Sequence, residues 1–374
     1  MPAKLFLPSL TIEGFRGLRF LELPSFGRVT LLAGKNSSGK TTILEAVRLF
    51  ASRGDNRSLL DLFETREELV LGYSEDGDEM LFPDFSSLFY ESDNEANDPP
   101  NIMIGVKGTP QTLSLQLVED SRGSEMPSLF SRHIQQTKAL RVSFGKQPRT
   151  LSLDAIDYNK HFRRRFAAMQ LLREPVQEEW PDPILNQSLG PGLPDNNTVT
   201  RLWDGITLTS GEDFVTETLR LIVGNNLERL AVVGDSTGPL RSRSRRVVAK
   251  LNSFAKPIPL KRLGNGALRL LGIAVALANC RNGILIIDEV ENGIHYSLQS
   301  KLWQMIFKAA DEGNVQVIAA THSWDCIASF AAAASETSAV GTLYRLERFE
   351  RDVCAVQYSE DDLTVAAQQR IEVR

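Results

Sequence analysis

Apolar and polar positions follow two rhythms along this chain. Val29–Ala33 (VTLLA) is a short apolar run, partly β-branched, as a buried strand requires. Beyond a glycine-rich turn, Ile43, Leu44, Val47 and Phe50 recur at helical spacing, so residues 1–53 read as strand, strand, loop, helix, with Val29–Ala33 as the second strand. Thr112–Val118 and Ala139–Phe144 alternate like strands of a small sheet. Glu91–Asn101 and Asn186–Asn197 read as loops, the latter rich in Gly, Pro and Asn. A helix over about Glu212–Val223 is followed by strand-like Leu230–Val233 and Val247–Leu251. The last third alternates regularly: helix Ala267–Asn279, strand Ile284–Ile287, helix Leu298–Ala310, strand Val315–Ala319. Strands alternating with helices predict a parallel sheet covered on both faces. No internal repeat is visible.

Composition narrows the class. The chain has 374 residues, 42% hydrophobic and 24% charged, enough for one large domain or two ordinary ones. No apolar run is long enough to span a membrane, and MPAKLFLPSLTIEGF lacks a signal-peptide cleavage pattern, so a cytoplasmic protein is expected. Cys280, Cys326 and Cys354 lie in or beside apolar segments without metal spacing and read as buried free thiols in a reducing cytosol. A net charge of −5 argues against the chain as a whole binding a polyanion. The charge is unevenly placed, however. Asp55–Asp98 holds 14 acidic and two basic residues, whereas Ser236–Ile287 holds ten basic residues and no acidic one. The basic stretch is either a solvated face or a surface toward nucleotide phosphates, DNA or an acidic partner.

The chemistry concentrates at strand ends. Gly34-Lys35-Asn36-Ser37-Ser38-Gly39-Lys40-Thr41 fits G-x-x-x-x-G-K-[ST] after a strand and opening a helix. Glycines there let backbone N–H groups converge on phosphates, and the helix N-terminus adds partial positive charge. Gly34, Asn36, Ser37, Ser38, Gly39, Lys40, Thr41 and Thr42 are the expected ATP contacts. Lys40 is expected at the β- and γ-phosphates, and Thr41 on Mg²⁺. Ile284–Glu289 (ILIIDE) ends a fully buried strand in a carboxylate pair, where open α/β sheets bind ligands. Asp288 is the expected metal residue and Glu289 the base that polarises water. His322 ends the next strand, placed to sense the γ-phosphate or that water. Leu263-Gly264-Asn265-Gly266 opens a helix and forms a second anion site. One ATP does not need two such loops, so Gly264 and Gly266 are expected to cap the nucleotide of a second copy of the chain.

Together these motifs resemble the ABC-type ATPase heads of SMC, RecF and OLD (overcoming lysogenization defect) proteins. The closest resemblance is to stand-alone OLD-like, defence-associated AAA family ATPases labelled AbiEii-type. Thr11-Ile12-Glu13-Gly14-Phe15-Arg16 resembles their opening I-x-N-F-R strand, with Gly14 in place of the usual Asn, and GKNSSGKT resembles G-x-N-x-S-G-K-[ST]. LGNGALRLLGIAVALAN, ILIIDEVENGIHYS and QVIAATHSWDCIASF resemble their signature, metal-strand and switch-histidine segments. The likeness covers Pro2–Phe50 and about Arg163–Arg374 and is weak over Asp55–Thr150.

The resemblance implies an α/β P-loop NTPase fold with an ABC-type ATPase head. Its parts would be a mixed central sheet, a small antiparallel β subdomain and a helical signature subdomain. A single head over 1–374 would divide into a P-loop lobe (1–53), a variable, β-rich and acidic insertion (54–150), a connecting lobe (151–260) and a signature, metal-strand and switch-histidine lobe (261–374). It further implies Arg16 near the phosphates, Glu291, Asn292 and His295 in an inter-subunit loop, and Gln170 as a candidate for the glutamine loop. Related signatures read S-x-G-D-G; here Arg262 replaces the Ser, so a guanidinium would act on the neighbour's nucleotide or weaken closure around it.

The implied function is a slow ATPase that pairs with itself around ATP and Mg²⁺ as a dimer or higher oligomer. It would control a separate effector in an anti-phage or toxin–antitoxin module. The 52 residues after His322 are too few for the Toprim nuclease domain of OLD proteins, which makes a Toprim-like nuclease a candidate effector. A RecF-like repair ATPase that binds DNA through Arg241–Arg262 is the alternative, and a nucleotide-regulated scaffold with little turnover is a third.

Overall fold

The structure is a computed structural model that describes residues 5–73, 79–91, 100–119, 138–145, 147–151, 156–157, 180–234, 245–358 and 362. The chain opens with an antiparallel hairpin, β1 (Leu10–Phe15) and β2 (Leu18–Leu23), turning at Arg16–Gly17. β3 (Val29–Ala33) follows, buried at every position, and leads through the glycine-rich loop into α1 (Lys40–Ala51). Asp55 then caps α2 (Asn56–Thr65) by accepting from the Ser58 N–H. Seven strands follow: β4 (Leu69–Tyr73), β5 (Glu79–Pro83), β6 (Asn101–Gly105), β7 (Thr112–Glu119), β8 (Lys138–Phe144), β9 (Gln147–Leu151) and β10 (Ile156–Asp157). Next come β11 (Asn186–Leu189), α3 (Asn196–Ile206), α4 (Ser210–Val223), β12 (Leu227–Gly234), β13 (Arg245–Leu251) and β14 (Ile258–Pro259). The last third holds α5 (Asn265–Asn279), β15 (Ile284–Ile287), α6 (Tyr296–Glu312), β16 (Gln316–Thr321), α7 (Trp324–Ser335), β17 (Gly341–Phe349) and β18 (Asp352–Tyr358).

The central sheet has the order β11-β15-β16-β3-β17-β18. Its first five strands are parallel and β18 returns antiparallel, so it is mixed. Alternation along β3 splits the interior in two. Val29, Leu31 and Ala33 join a core with Leu271 and Val275 of α5, Trp303 and Phe307 of α6 and Phe330 of α7. Leu32, with Ile284, Ile286, Ile318 and Ala320 of its neighbours, faces the opposite core, with Ile43, Val47 and Phe50 of α1. That second core is closed by a six-stranded antiparallel sheet, β2-β1-β6-β7-β8-β9. A three-stranded sheet, β12-β13-β14, packs with α3 and α4. No helix among the described residues is long and apolar enough to cross a membrane.

The α/β P-loop fold with a mixed central sheet is as expected, with three differences in detail. Val29–Ala33 is the third strand, because Leu18–Leu23 pairs back on β1 across a turn that Arg16 makes at φ 51°. Asn186–Leu189, expected in a loop, is the edge strand β11, paired in parallel with β15. The antiparallel sheet is as wide as the central one, since β1 also pairs with β6 and so joins the opening hairpin to residues 101–151. Gln170, Arg241 and Arg243 lie outside the described residues.

Candidate functional site

Strand order brings the separate motifs together. β16 lies between β3 and β15, so the loop after β3, the carboxylates after β15 and His322 after β16 all emerge at the C-terminal ends of adjacent parallel strands. The loop and the carboxylates border a cleft of about 400 Å³ lined by Asn36–Thr42, Asp288 and Glu289, with Gly17, Leu18, Arg66, Arg348 and Val353 completing its walls; His322 reaches it only through its contact with Glu289.

The loop is shaped for an anion. Ser37 and Gly39 take left-handed backbone (φ 62° and 94°), a conformation that turns successive N–H groups into one concavity. No side chain caps the N-terminus of α1, so its first N–H groups keep their donor capacity. The buried Ser38 hydroxyl has no hydrogen-bond partner among the described residues. A Cβ on Gly34 would stand 2.7 Å from that hydroxyl and 2.8 Å from the Leu346 carbonyl, so only glycine fits. Lys40 Nζ donates to the carbonyls of Gly34 and Lys35, both at 2.7 Å. Burial lowers the pKa of its ammonium, and the carboxylates of Asp288, Glu289 and Glu291 oppose that shift.

The carboxylate side is equally organised. Thr41 Oγ1 donates to Asp288 Oδ2 at 2.7 Å, and the Glu289 N–H donates to Asp288 Oδ1 at 3.0 Å. A hydroxyl and a carboxylate are hard oxygen donors of the kind Mg²⁺ takes alongside phosphates and water. No group of three His, Cys, Asp or Glu side chains that could cage a metal occurs among the described residues. Glu289 sits in left-handed backbone (φ 46°), its side chain a third exposed. His322 Nδ1 lies 3.6 Å from Glu289 Oε1 and 3.4 Å from Glu291 Oε1.

Sequence reasoning missed Arg269, in the second turn of α5. Its guanidinium is 1% exposed and donates to four carbonyls: Gly190 (2.7 Å), Gly192 (2.9 Å), Asp288 (2.5 Å) and Glu289 (2.8 Å). It ties the main chain of the carboxylate pair to the loop after β11. Burial lowers its pKa, against the pull of Glu291, Asp288 and Glu289. The signal was a lone charge inside the apolar run ALRLLGIAVALA.

Two expected residues stand apart from the cleft lining. Arg16 does not line the cleft. Its guanidinium pairs with both oxygens of Glu68 and, through Nε, with Glu45 at 3.1 Å, and these carboxylates take up its charge. Arg66 and Arg348 are the arginines at the cleft wall; Arg66 donates to Glu45 at 2.7 Å, a hydrogen bond that raises its pKa. Glu291 faces inward at 8% exposure, whereas its neighbours Asn292 and His295 are exposed. Arg262 and Gly264 are exposed, away from the chain's own cleft. Gly264 turns at φ 93° with open space around it, while a Cβ on Gly266 would meet the Gly293 carbonyl at 2.8 Å.

A family model described as "AAA domain, putative AbiEii toxin, Type IV TA system" matches residues 134–325, more than half the chain, and one described as "AAA ATPase domain" matches residues 6–107. An uncharacterised protein of Methanocaldococcus jannaschii is 33% identical over 89 residues, 24% of this chain and 38% of that protein. DNA replication and repair protein RecF of Rickettsia prowazekii is 46% identical over 66 residues, 17% of this chain and 18% of RecF. The chain thus spans less than two fifths of the length of either relative. An ATP/GTP phosphatase of Helicobacter pylori is 19% identical over 348 residues, 86% of both chains. Among solved structures, an SMC head bound to the C-winged helix domain of ScpA aligns with a TM-score of 0.49 and 11% identity, covering 95% of this chain and 98% of that one. With its P-loop, its strand-end carboxylates and the family match over more than half of its length, the chain belongs to the AAA domain family described as putative AbiEii toxin.

Proposed function

We propose that the chain is a slow ATPase switch that binds ATP with Mg²⁺ and pairs head-to-tail with a second copy around the nucleotide. The contact that carries this reading is Thr41 Oγ1 to Asp288 Oδ2 at 2.7 Å, with Glu289 next along the chain. Gly34 and Asn36–Thr42 cradle the phosphates, and Lys40 exchanges its two carbonyl contacts for phosphate oxygens. Thr41 and Asp288 hold the metal, which neutralises phosphate charge when bound. Glu289 accepts a proton from the attacking water, and His322 lies beside it. Exposed Arg262 and Gly264, with half-buried Gly266, face the nucleotide of the second copy. Glu289→Gln should keep ATP binding, lose about 10²–10⁴ in turnover and accumulate an ATP-bound oligomer by mass measurement. Turnover at the wild-type rate would sink the hydrolytic half of the reading.

The switch acts in the cytoplasm on a separate effector of an anti-phage or toxin–antitoxin module, a Toprim-like nuclease in the simplest case. The family description supports this setting. Co-purification with the product of a neighbouring nuclease gene, dependent on ATP, tests it. Likeness to RecF favours a second reading, a DNA-binding repair ATPase. Salt-dependent DNA affinity lowered by changing Arg243, Arg245 and Arg246 would select it. Against that, Arg245 already forms a bidentate pair with Asp204.

A further inference from the structure

Glu291 is a buried acid that the reading above does not use. Its side chain is 8% exposed, and its Oε2 is fully buried without a hydrogen-bond partner among the described residues. An unpaired buried carboxylate oxygen is costly, and structures keep such groups where surrounding contacts require them. The contact here is to His322. Glu291 Oε1 accepts the His322 backbone N–H at 3.3 Å and lies 3.4 Å from Nδ1 of the same residue. Glu289 Oε1 lies 3.6 Å from the same Nδ1. One imidazole nitrogen is therefore flanked by two carboxylates of different character: Glu289 is a third exposed and borders the cleft, whereas Glu291 is buried and held by the backbone.

We propose that Glu291 is a positioning residue for His322. It takes the Nδ1–H of the neutral imidazole, leaves the Nε2 lone pair free, and keeps that proton from Glu289. The two-point grip on the His322 N–H and Nδ1 fixes the ring as well as its tautomer, because the partner of one ring nitrogen decides which nitrogen carries the proton. A shift of a few tenths of an ångström brings 3.4 Å into hydrogen-bond range, and such contacts tighten when a ligand closes a site. Arg269 and Lys40, the cations that feel the Glu291 carboxylate, lie on α5 and α1 and hold the adjoining main chain. The role of His322 rests on the proposed ATPase reading; the grip on its ring does not.

The test therefore has two arms. In the first, nitrogen NMR of ¹⁵N-histidine-labelled protein near pH 8, about 1.5 units above the ordinary imidazole value, reads the tautomer without any hydrolysis. The His322 signal is assigned among the four histidines by its loss in His322→Ala. The expected result is Nδ1–H in the wild type and in Glu291→Gln, which keeps an acceptor, and a mixed population in Glu291→Met. An Nε2–H tautomer in the wild type overturns the proposal even if the protein fails to fold as Glu291→Met. In the second arm, turnover and ATP affinity are measured for both variants. Glu291→Met should lower kcat about 10- to 100-fold with ATP affinity retained and add no loss in a His322→Ala background, while Glu291→Gln recovers most of it. Full additivity with His322→Ala, or Gln failing as badly as Met, would refute the positioning role. A wild type with the Nδ1–H tautomer but no turnover would sink the ATPase reading and leave the grip standing.

Discussion

The two glycine turns of this molecule, at Gly34–Thr41 and at Gly264–Gly266, look alike in sequence and are opposite in structure. The first is closed on itself. Lys40 bonds two loop carbonyls, Thr41 bonds Asp288, and Gly34 is packed against Ser38 and Leu346. The second is open. Gly264 has nothing near its missing Cβ, and Arg262 makes no ion pair among the described residues. Folding completes the first turn, whereas the second leaves Arg262 and Gly264 exposed. A helix links them: α5 starts at the open turn, and one turn later its Arg269 holds the carbonyls of Asp288 and Glu289.

That contrast can be broken by substitution. The largest effect is expected from Arg269→Met, which strips four carbonyls, that of Asp288 buried, of their donor. It should cost about 3–5 kcal/mol of stability by denaturant unfolding, and most turnover; a loss below about 1 kcal/mol would show that the carbonyls find other partners. Gly266→Ala should cost about 1–3 kcal/mol, because the Gly293 carbonyl stands 2.8 Å from the new Cβ. Gly264→Ala meets no atom, yet its φ of 93° and ψ of 171° are open to glycine alone, so about 1–3 kcal/mol should appear as backbone strain. Arg262→Ala should leave nucleotide-free stability within about 0.5 kcal/mol while weakening ATP-induced assembly, read by light scattering. Wild-type assembly and wild-type hydrolysis in that variant would remove Arg262 from any site shared between copies. The smallest effect concerns thiols. Burial pushes Cys280 up to about 12 and Cys326 further, whereas Cys354, expected buried, is exposed because it lies on the outward side of the edge strand β18. One thiol per native chain should react with a disulfide reagent near pH 8, because the ordinary thiol value is about 8.5; fast reaction of a second would mean that the core opens.

What could be read from the sequence follows from where each segment's neighbours lie. Ile284–Ile287 was legible to the residue because a central parallel strand must be apolar on both faces. Asn186–Leu189 was not. As an edge strand it carries NQSL, polar enough to pass for the Gly- and Pro-rich loop that follows. β2 was hidden because its two-residue turn depends on Arg16 in left-handed backbone, a choice made by pairing with β1. At the site, Asp288, Glu289 and His322 could be named because strand ends collect ligands. Arg269 could not be named, and Glu291 could be placed only in an inter-subunit loop, since each acts on main-chain atoms of a segment distant in the sequence or newly folded around it. The pairing of Arg16 with Glu45 and Glu68 was hidden for a similar reason, since no local pattern announces it.

The placement of β3 carries a consequence for synthesis. β3 is made among the first strands, yet both of its neighbours, β16 and β17, come from the far end of the chain. The cleft likewise draws Arg348 and Val353 from the last hairpin, and Arg19 on β2 pairs with Asp352 there. During translation the nascent P-loop strand must wait with both edges bare, an arrangement of high contact order that favours slow closure and exposure to misassembly. Nucleotide competence should thus arrive late and all at once, as β17 and β18 leave the ribosome, so that a chain stalled before them carries the whole P-loop sequence without a working cleft.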